Sequence, residues 1–159
     1  MDPKMPDPSQ TPMLRLREFL PYRLSVLSNT ISRRIAELYD REFGLTIWQW
    51  RVMAVTGDTP GISATEIGQR TAMDKVAVSR AVAGLIEVGY LERKSSEEDG
   101  RRSKLYLTGA GKSVYDEIVP MALSEEQELE AVLTPEERRE LTRLMDKLAG
   151  AASPGQPLW

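Results

Sequence analysis

The chain has 159 residues, of which 28% are charged and 6% are aromatic, and these values are ordinary for a globular protein of one domain. It contains no cysteine and no histidine, which excludes disulfides, thiol redox sensors, Ser-His-Asp triads and His/Cys metal sites. No apolar run approaches the roughly 18 residues of a membrane span, and no signal-peptide pattern is present. We therefore expect a cytoplasmic protein without a metal or cofactor.

The net charge of −3 is distributed unevenly along the chain. Residues 1–67 carry eight Lys/Arg and eight Asp/Glu, residues 68–112 carry nine and six, and residues 113–159 carry four and ten. Binding to a polyanion depends on the local field, so a basic module beside an acidic helical part is compatible with DNA binding.

The N-terminal part combines a proline-rich tail with a helical pattern. Residues 1–13 contain four prolines and few hydrophobic side chains, which predicts a disordered tail. From residue 14 to Phe43, apolar residues recur at spacings of three and four, which predicts a helix. Pro21 predicts either a kink or a new helix start with the proline in the first turn. The apolar stripe consists of Leu20, Leu24, Leu27, Ile31, Ile35 and Leu38.

A second helix is predicted after Gly44. Thr46 and Gln49 have the spacing of a capping box, so we expect the helix to run from Ile47 to about Gly57. Trp48 and Trp50 point in different directions on a helix. One of them is therefore expected in the core, and the other is free to line a pocket.

The next stretch has the pattern of a helix-turn-helix unit. Ser63 begins a helix that fades near Thr71, and Asp74 can cap a second helix, which Gly89 ends in a left-handed conformation. The inward stripe of the second helix is Val78, Val82, Leu85 and Ile86, and its outer face is Lys75, Val76, Ser79, Arg80 and Ala83. That outer face is narrow and carries hydrogen-bond donors, as a helix that enters a major groove requires. From this stretch alone, an ordinary helical hairpin with a solvated face is an equal alternative.

A two-stranded ribbon follows. Residues 91–93 and 105–107 alternate like strands, and the segment between them is polar. Asp99 and Arg101 lie at its turn, followed by Arg102 and Lys104. An arginine at the tip of a hairpin suits the negative potential of a narrow minor groove, and a nearby carboxylate can orient it. The glutamates at 97 and 98 would repel phosphates unless they point away from the duplex.

Two more helices are predicted at the C-terminal end. Thr108 can cap a long helix that Pro120 is expected to kink or interrupt, with a restart signal at Ser124. Thr134, followed by proline and glutamate, opens a last helix that is expected to stop at Gly150. The tail at 151–159 is expected to be mobile, with docking of its terminal Leu158-Trp159 as an alternative. Apolar stripes at both ends of the chain would be exposed in a lone protomer, which favours a two-fold dimer.

The run from Gly44 to Gly111 resembles the MarR (multiple-antibiotic-resistance regulator) family of winged-helix transcription factors. The resemblance is carried by Leu45-Thr46, Gln49-Trp50-Arg51-Val52, Val78-Ser79-Arg80, Gly89-Tyr90-Leu91, Arg93, Asp99-Gly100-Arg101-Arg102-Ser103, Leu107-Thr108 and Gly111. It implies a mainly α fold with a small β-wing in one domain, residues 14–150. Within that domain, 46–112 would be the winged-helix part, and 14–45 and 113–150 would be interleaved dimerisation helices.

The same resemblance implies a homodimeric, ligand-responsive regulator, which we expect to be a repressor. Its two recognition helices would lie roughly 34–36 Å apart on a near-palindromic site. The predicted DNA-binding residues are Ser63, Thr65, Lys75, Val76, Ser79, Arg80, Asp99, Arg101, Arg102 and Lys104. A phenolic acid or an aromatic acyl-CoA would bind near Arg23, Arg33, Trp48 and Arg51, although Trp48 as a core residue and the arginines as surface ion pairs are an equal alternative.

Three other classes of protein are alternatives to a ligand-responsive regulator. An enzyme is disfavoured because no glycine-rich phosphate loop or nucleophile elbow is present. A pure protein–protein scaffold would not need Arg101 and Arg102. An architectural winged-helix DNA binder without an effector stays open, and would show little sequence preference.

Overall fold

The computed structural model describes residues 13–95, 103–155 and 158–159, and its described part contains six helices and two strands. In chain order these are α1 (Leu20–Phe43), α2 (Ile47–Asp58), α3 (Ala64–Thr71), α4 (Lys75–Glu87), β1 (Leu91–Ser95), β2 (Ser103–Leu107), α5 (Gly109–Glu130) and α6 (Pro135–Ala152). The prediction of a mainly α fold with a small β-wing is confirmed. None of the helices in the described ranges combines the length and apolarity that crossing a bilayer requires.

The chain divides into two compact units, residues 1–34 and residues 35–159. In the first unit, the expectation of a helix from residue 14 is wrong, because residues 16–18 form a turn and α1 begins at Leu20. Pro21 therefore lies in the first turn of α1, the second of the two outcomes predicted for it. Its missing N–H does no harm there, since the first N–H groups of a helix have no intrahelical partner.

Side-chain caps begin the five helices from α2 to α6, as the sequence predicts. Thr46, Ser63 and Thr134 each form a full capping box with the residue three positions on, at α2, α3 and α6. Asp74 caps α4 by accepting a 2.8 Å hydrogen bond from the N–H of Ala77. Because each cap satisfies backbone donors that would otherwise be unpaired, these boundaries follow from local chemistry.

The core of the second unit holds α4 against its neighbours. Val78, Val82 and Leu85 are buried, as the stripe predicts, and pack with Ile67 of α3. Ile86, predicted to belong to the same stripe, is 38% exposed. It lies in the last turn of α4, at the edge of the packed face.

An aromatic cluster joins α1, α2 and α5 inside the same unit. Trp50 lies between Tyr39 and Tyr115, with ring centroids 5.7 and 6.0 Å apart. Burial raises the pKa of Tyr39 to about 12, because the phenolate would lose its hydration. Trp50 is thus the packed tryptophan of α2, while Trp48 is 49% exposed.

The wing is an antiparallel pair in which Leu91 faces Leu107 and Arg93 faces Leu105. A short bridge extends it, because the Leu105 N–H donates to the carbonyl of Ile62 at 2.9 Å. The wing is thereby attached to the segment just before α3.

Both C-terminal helices differ in part from the prediction. Pro120 lies inside an uninterrupted α5, so the restart predicted at Ser124 is wrong. Proline removes one backbone donor, and the burial of Val114 and Ile118 holds the preceding turns in place. α6 continues past Gly150 to Ala152. Gly150 has negative φ and open space around it, so it does not act as a helix stop.

The start of α5 is locked to the end of the helix-turn-helix segment. The Thr108 hydroxyl donates to the carbonyl of Gly89 at 2.6 Å and accepts from the N–H of Gly111 at 3.0 Å. A Cβ on Gly111 would lie 1.9 Å from the carbonyl oxygen of Tyr90, whereas a Cβ on Gly109 would meet nothing within 4 Å. The helix can approach Tyr90 this closely only because position 111 has no side chain.

We expect Gly111→Ala to lower the free energy of unfolding by about 3 kcal/mol, because the backbone of α5 or of Tyr90 must move to admit the methyl group. Gly109→Ala, in the first turn of the same helix, is the matched control and should be neutral or stabilising. Urea denaturation followed by circular dichroism measures both variants. Equal stability of the two would contradict this account of the junction.

Candidate nucleic-acid interface

A groove between α3 and α4 gathers several of the predicted DNA-binding residues. It has a volume of about 520 Å³ and is lined by Ala64, Thr65, Gly68, Gln69, Lys75, Val78, Ser79, Val82 and Arg93. Thr65, Lys75 and Ser79 are exposed on its walls, and Val76 and Arg80 are exposed on α4 beside it. The outer face predicted for α4 is therefore accessible along its whole length.

Packing sets the width of this groove at Gly68. A Cβ there would lie 3.3 Å from the carbonyl oxygen of Met73 and 3.7 Å from Val78. A side chain at position 68 would push α3 away from the turn that precedes α4. The small residue thus keeps the two helices at the separation that defines the groove.

Two polar residues that line the groove, Gln69 and Arg93, are absent from the DNA-binding residues predicted from the sequence. Arg93 pairs with buried Leu105 and lies two residues after buried Leu91, so strand alternation places it on the same side as the core. It is nevertheless exposed, because it lies beyond the core at the edge of the groove. A charged residue in the inward register of a strand was the signal that could have identified it.

Ser63, which the sequence predicts to contact a DNA phosphate, also caps the start of α3. Its hydroxyl donates to the carboxylate of Glu66 at 2.6 Å and accepts from the Glu66 N–H at 3.3 Å. The capping box therefore already uses the hydroxyl, and the predicted contact with phosphate would have to displace Glu66. Thr65, one residue further, is exposed on the groove wall.

The described strands of the wing carry lysines at paired positions. Lys94 pairs across the ladder with Lys104, which is exposed. Lys94 forms an ion pair with Glu92 at 2.9 Å and lies 5.0 Å from the ring of Tyr106, and the hydrogen bond with Glu92 raises the pKa of Lys94. The predicted residues Asp99, Arg101 and Arg102, with the glutamates at 97 and 98, lie outside the described residues.

The residues predicted for ligand binding fall into two groups. Arg23 and Arg33 are exposed on the part of α1 that belongs to the first unit. In the second unit, the guanidinium of Arg51 lies 5.2 Å from the ring of Trp48. A cleft of about 300 Å³ beside them is lined by Thr46, Trp48, Gln49, Ala77, Arg80 and Ala81. The structure thus brings Trp48, predicted for a ligand, next to Arg80, predicted for DNA.

Comparison with known proteins points to one family. Residues 43–102 match the sequence model described as the MarR family. A helix-turn-helix-type transcriptional repressor from Mycobacterium tuberculosis is 24% identical over 131 residues, which cover 82% of this chain and 91% of the relative. A MarR/EmrR family transcriptional regulator from Acinetobacter sp. ADP1 is 26% identical, with a TM-score of 0.80 over 87% of this chain and 98% of that protein.

Over residues 43–102 the chain matches the MarR family, and its fold is that of solved MarR-family regulators. The family model and the relatives place the chain among transcriptional regulators rather than enzymes, as the residue patterns predicted. The fold is also shared by Bordetella bronchiseptica BpsR, whose DNA binding is regulated by 6-hydroxynicotinic acid. BpsR is 22% identical, with a TM-score of 0.74 over 86% of this chain and 97% of BpsR.

The MarR match covers the groove but not the whole interface. Residues 43–102 include α2, α3, α4 and β1, and therefore every residue that lines the groove between α3 and α4. Lys104 on β2 and the helices α5 and α6 lie beyond the matched segment. For these parts, the similarity rests on the longer alignments with relatives and on the solved structures.

Proposed function

We propose that this MarR-family protein is a homodimeric, sequence-specific DNA-binding repressor that a small anionic aromatic ligand releases from DNA. The single observation that carries the proposal is the exposed, donor-bearing face of α4 beside the groove that it forms with α3. An ordinary helical hairpin with a solvated face would not need a narrow helix face that carries hydrogen-bond donors. It would also not need a glycine that sets the separation of its two helices.

The proposed contacts divide by chemistry. Lys75, Val76, Ser79 and Arg80 on α4 would read base edges in the major groove, where hydrogen bonds and apolar contacts distinguish base pairs. Arg101, oriented by Asp99, would enter the minor groove. Phosphates would be contacted by Arg102 and Lys104 on the wing and by Ser63 and Thr65 at the start of α3. Gln69 and Arg93 extend the phosphate-binding surface between α3 and the wing.

Dimerisation is supported by apolar side chains that one protomer leaves in solvent. In α6 no residue is buried, and Leu141, Leu144, Met145 and Leu148 are 42–46% exposed. In the first unit, Leu20, Leu24 and Leu27 of α1 are 45–55% exposed. Soluble proteins rarely leave such stripes uncovered, and a two-fold dimer covers the same stripe on both copies. A dimer also presents two recognition helices to a near-palindromic site.

The effector is proposed to bind at Trp48 and Arg51. The ring and guanidinium lie together and suit an aromatic carboxylate, and the adjoining cleft also contains Arg80. A ligand there would differ in its affinity for the free and the DNA-bound protein, which is the thermodynamic condition for release. BpsR, which shares the fold, responds to an aromatic acid, and the mycobacterial relative is named a repressor. Arg23 and Arg33 remain predictions from the sequence.

DNA binding is tested by fluorescence anisotropy on DNA from upstream of the protein's own gene and on a scrambled duplex, over a series of salt concentrations. Arg80→Ala should cost about 1–3 kcal/mol and relax specificity at one position. Lys104→Ala should instead weaken binding to both duplexes alike and lower the salt slope by about one. Arg101→Ala should also lose affinity.

The matched control is Arg139→Ala, which removes the same charge from an ion pair with Glu136 on α6, far along the chain from the proposed interface. It should leave affinity for the specific duplex unchanged. Equal binding of the protein to both duplexes would indicate an architectural role, and no binding to either at low salt would refute the proposal.

Dimerisation is tested by sedimentation equilibrium of Leu144→Glu. The introduced charge lies within the apolar stripe of α6, so we expect a shift from dimer to monomer because a buried unpaired carboxylate is strongly unfavourable. Arg139→Glu, on the opposite face of α6, introduces the same residue and should remain dimeric. A monomeric parent protein at micromolar concentration would overturn this part of the proposal.

Effector binding is tested by repeating the anisotropy titration with a panel of phenolic acids and aromatic acyl-CoA thioesters. For an active compound, we expect Trp48→Ala to abolish the change in DNA affinity and Trp48→Phe to retain much of it, since phenylalanine keeps a ring surface. If Trp48→Ala responds like the parent protein, the effector binds elsewhere.

A further inference from the structure

The outer face of α4 has a central line of side chains, which we call the crest. It consists of Val76 and Ala83, which lie almost directly above one another because they are seven residues apart on the helix. Both are exposed, and Val76 is 59% exposed. Neither is among the described residues that line the groove with α3 or the cleft beside Trp48. The crest is therefore the part of α4 that projects furthest from the protein.

Hydrogen-bond donors flank the crest on both sides. Ser79 follows Val76 by three residues and lines the groove with α3. Arg80 follows it by four residues and lines the cleft beside Trp48. Both side chains are exposed. The surface that α4 would place deepest in a major groove is thus apolar at its centre, with a donor at each edge.

The fold of the protomer does not require an apolar side chain at position 76. The buried stripe of α4 lies on the opposite face of the helix. Asp74 caps the helix by accepting from the N–H of Ala77, so the cap does not involve the side chain of Val76. Valine is also a weaker helix former than alanine or lysine, because its branched side chain loses rotamer freedom. A role outside the protomer accounts for this valine better than helix stability does.

Thymine is the base that presents an apolar group, its C5-methyl, in the major groove. Val76 lies in the first turn of α4, and a recognition helix reads base edges with its N-terminal residues. We propose that Val76 specifies a thymine in each half-site by packing against its C5-methyl, which rests on the proposed binding of α4 in the major groove. A base pair without that methyl group leaves the valine facing polar base edges.

The position of Arg80 places a second base in the same half-site. Its guanidinium can donate two hydrogen bonds to O6 and N7 of guanine, the commonest specific contact of this side chain with DNA. Four residues separate Arg80 from Val76, which is about 6 Å along the helix axis. Base pairs stack at about 3.4 Å, so we expect the thymine within about two base pairs of the guanine.

The test selects binding sites from a random library of DNA duplexes with the full chain, and then measures the selected duplex by fluorescence anisotropy. Each thymine is replaced in turn by deoxyuridine, which keeps the base pair and lacks only the C5-methyl. At one thymine in each half-site, we expect the replacement to weaken binding about fourfold, because contact with one methyl group is lost. Val76→Ala should bind the thymine and deoxyuridine duplexes with equal affinity, since both changes remove the same contact.

The matched control is Val88→Ala. It removes the same two methyl groups from a valine that is 56% exposed and follows α4 directly. This variant should keep the preference of the parent protein for thymine. Two results would overturn the inference and leave the proposed function intact: no deoxyuridine substitution weakens binding, or Val76→Ala keeps the preference for thymine. If the selection enriches no sequence, the proposed sequence-specific binding fails together with the inference.

Discussion

The hydroxyl of Thr108 is the contact on which the arrangement of the second unit depends. It donates to Gly89 at the end of the recognition-helix segment and accepts from Gly111 in the first turn of α5, while its N–H donates to Tyr90 at 3.1 Å. One residue therefore ties together the end of α4, the base of the wing and the start of a long helix. The close approach of Tyr90 to Gly111 makes the junction rigid, since the backbones have no free space between them.

Around this junction, charge and apolar surface are separated along the chain. Residues 68–112 carry an excess of cations and residues 113–159 an excess of acidic side chains, and within the second range α6 leaves an apolar stripe uncovered. DNA binding depends on the local field, so the net charge of −3 does not oppose it.

The cleft beside Trp48 also contains Arg80 of α4. A ligand bound in this cleft would therefore compete with the contact that we propose between Arg80 and DNA. Release from DNA would then need no change in the separation of the two protomers.

The sequence by itself determined the starts of α2 to α6, the helix-turn-helix and the two strands of the wing, because capping residues and apolar spacing are local signals. The accessible face of α4 also follows from spacing, and Lys75, Ser79 and Arg80 were predicted from it. Tertiary structure alone decided that Pro120 is accommodated within α5, that Arg93 reaches the groove, and that Trp159 returns to α6. These outcomes depend on contacts between residues far apart in the chain, and no local pattern encodes such contacts.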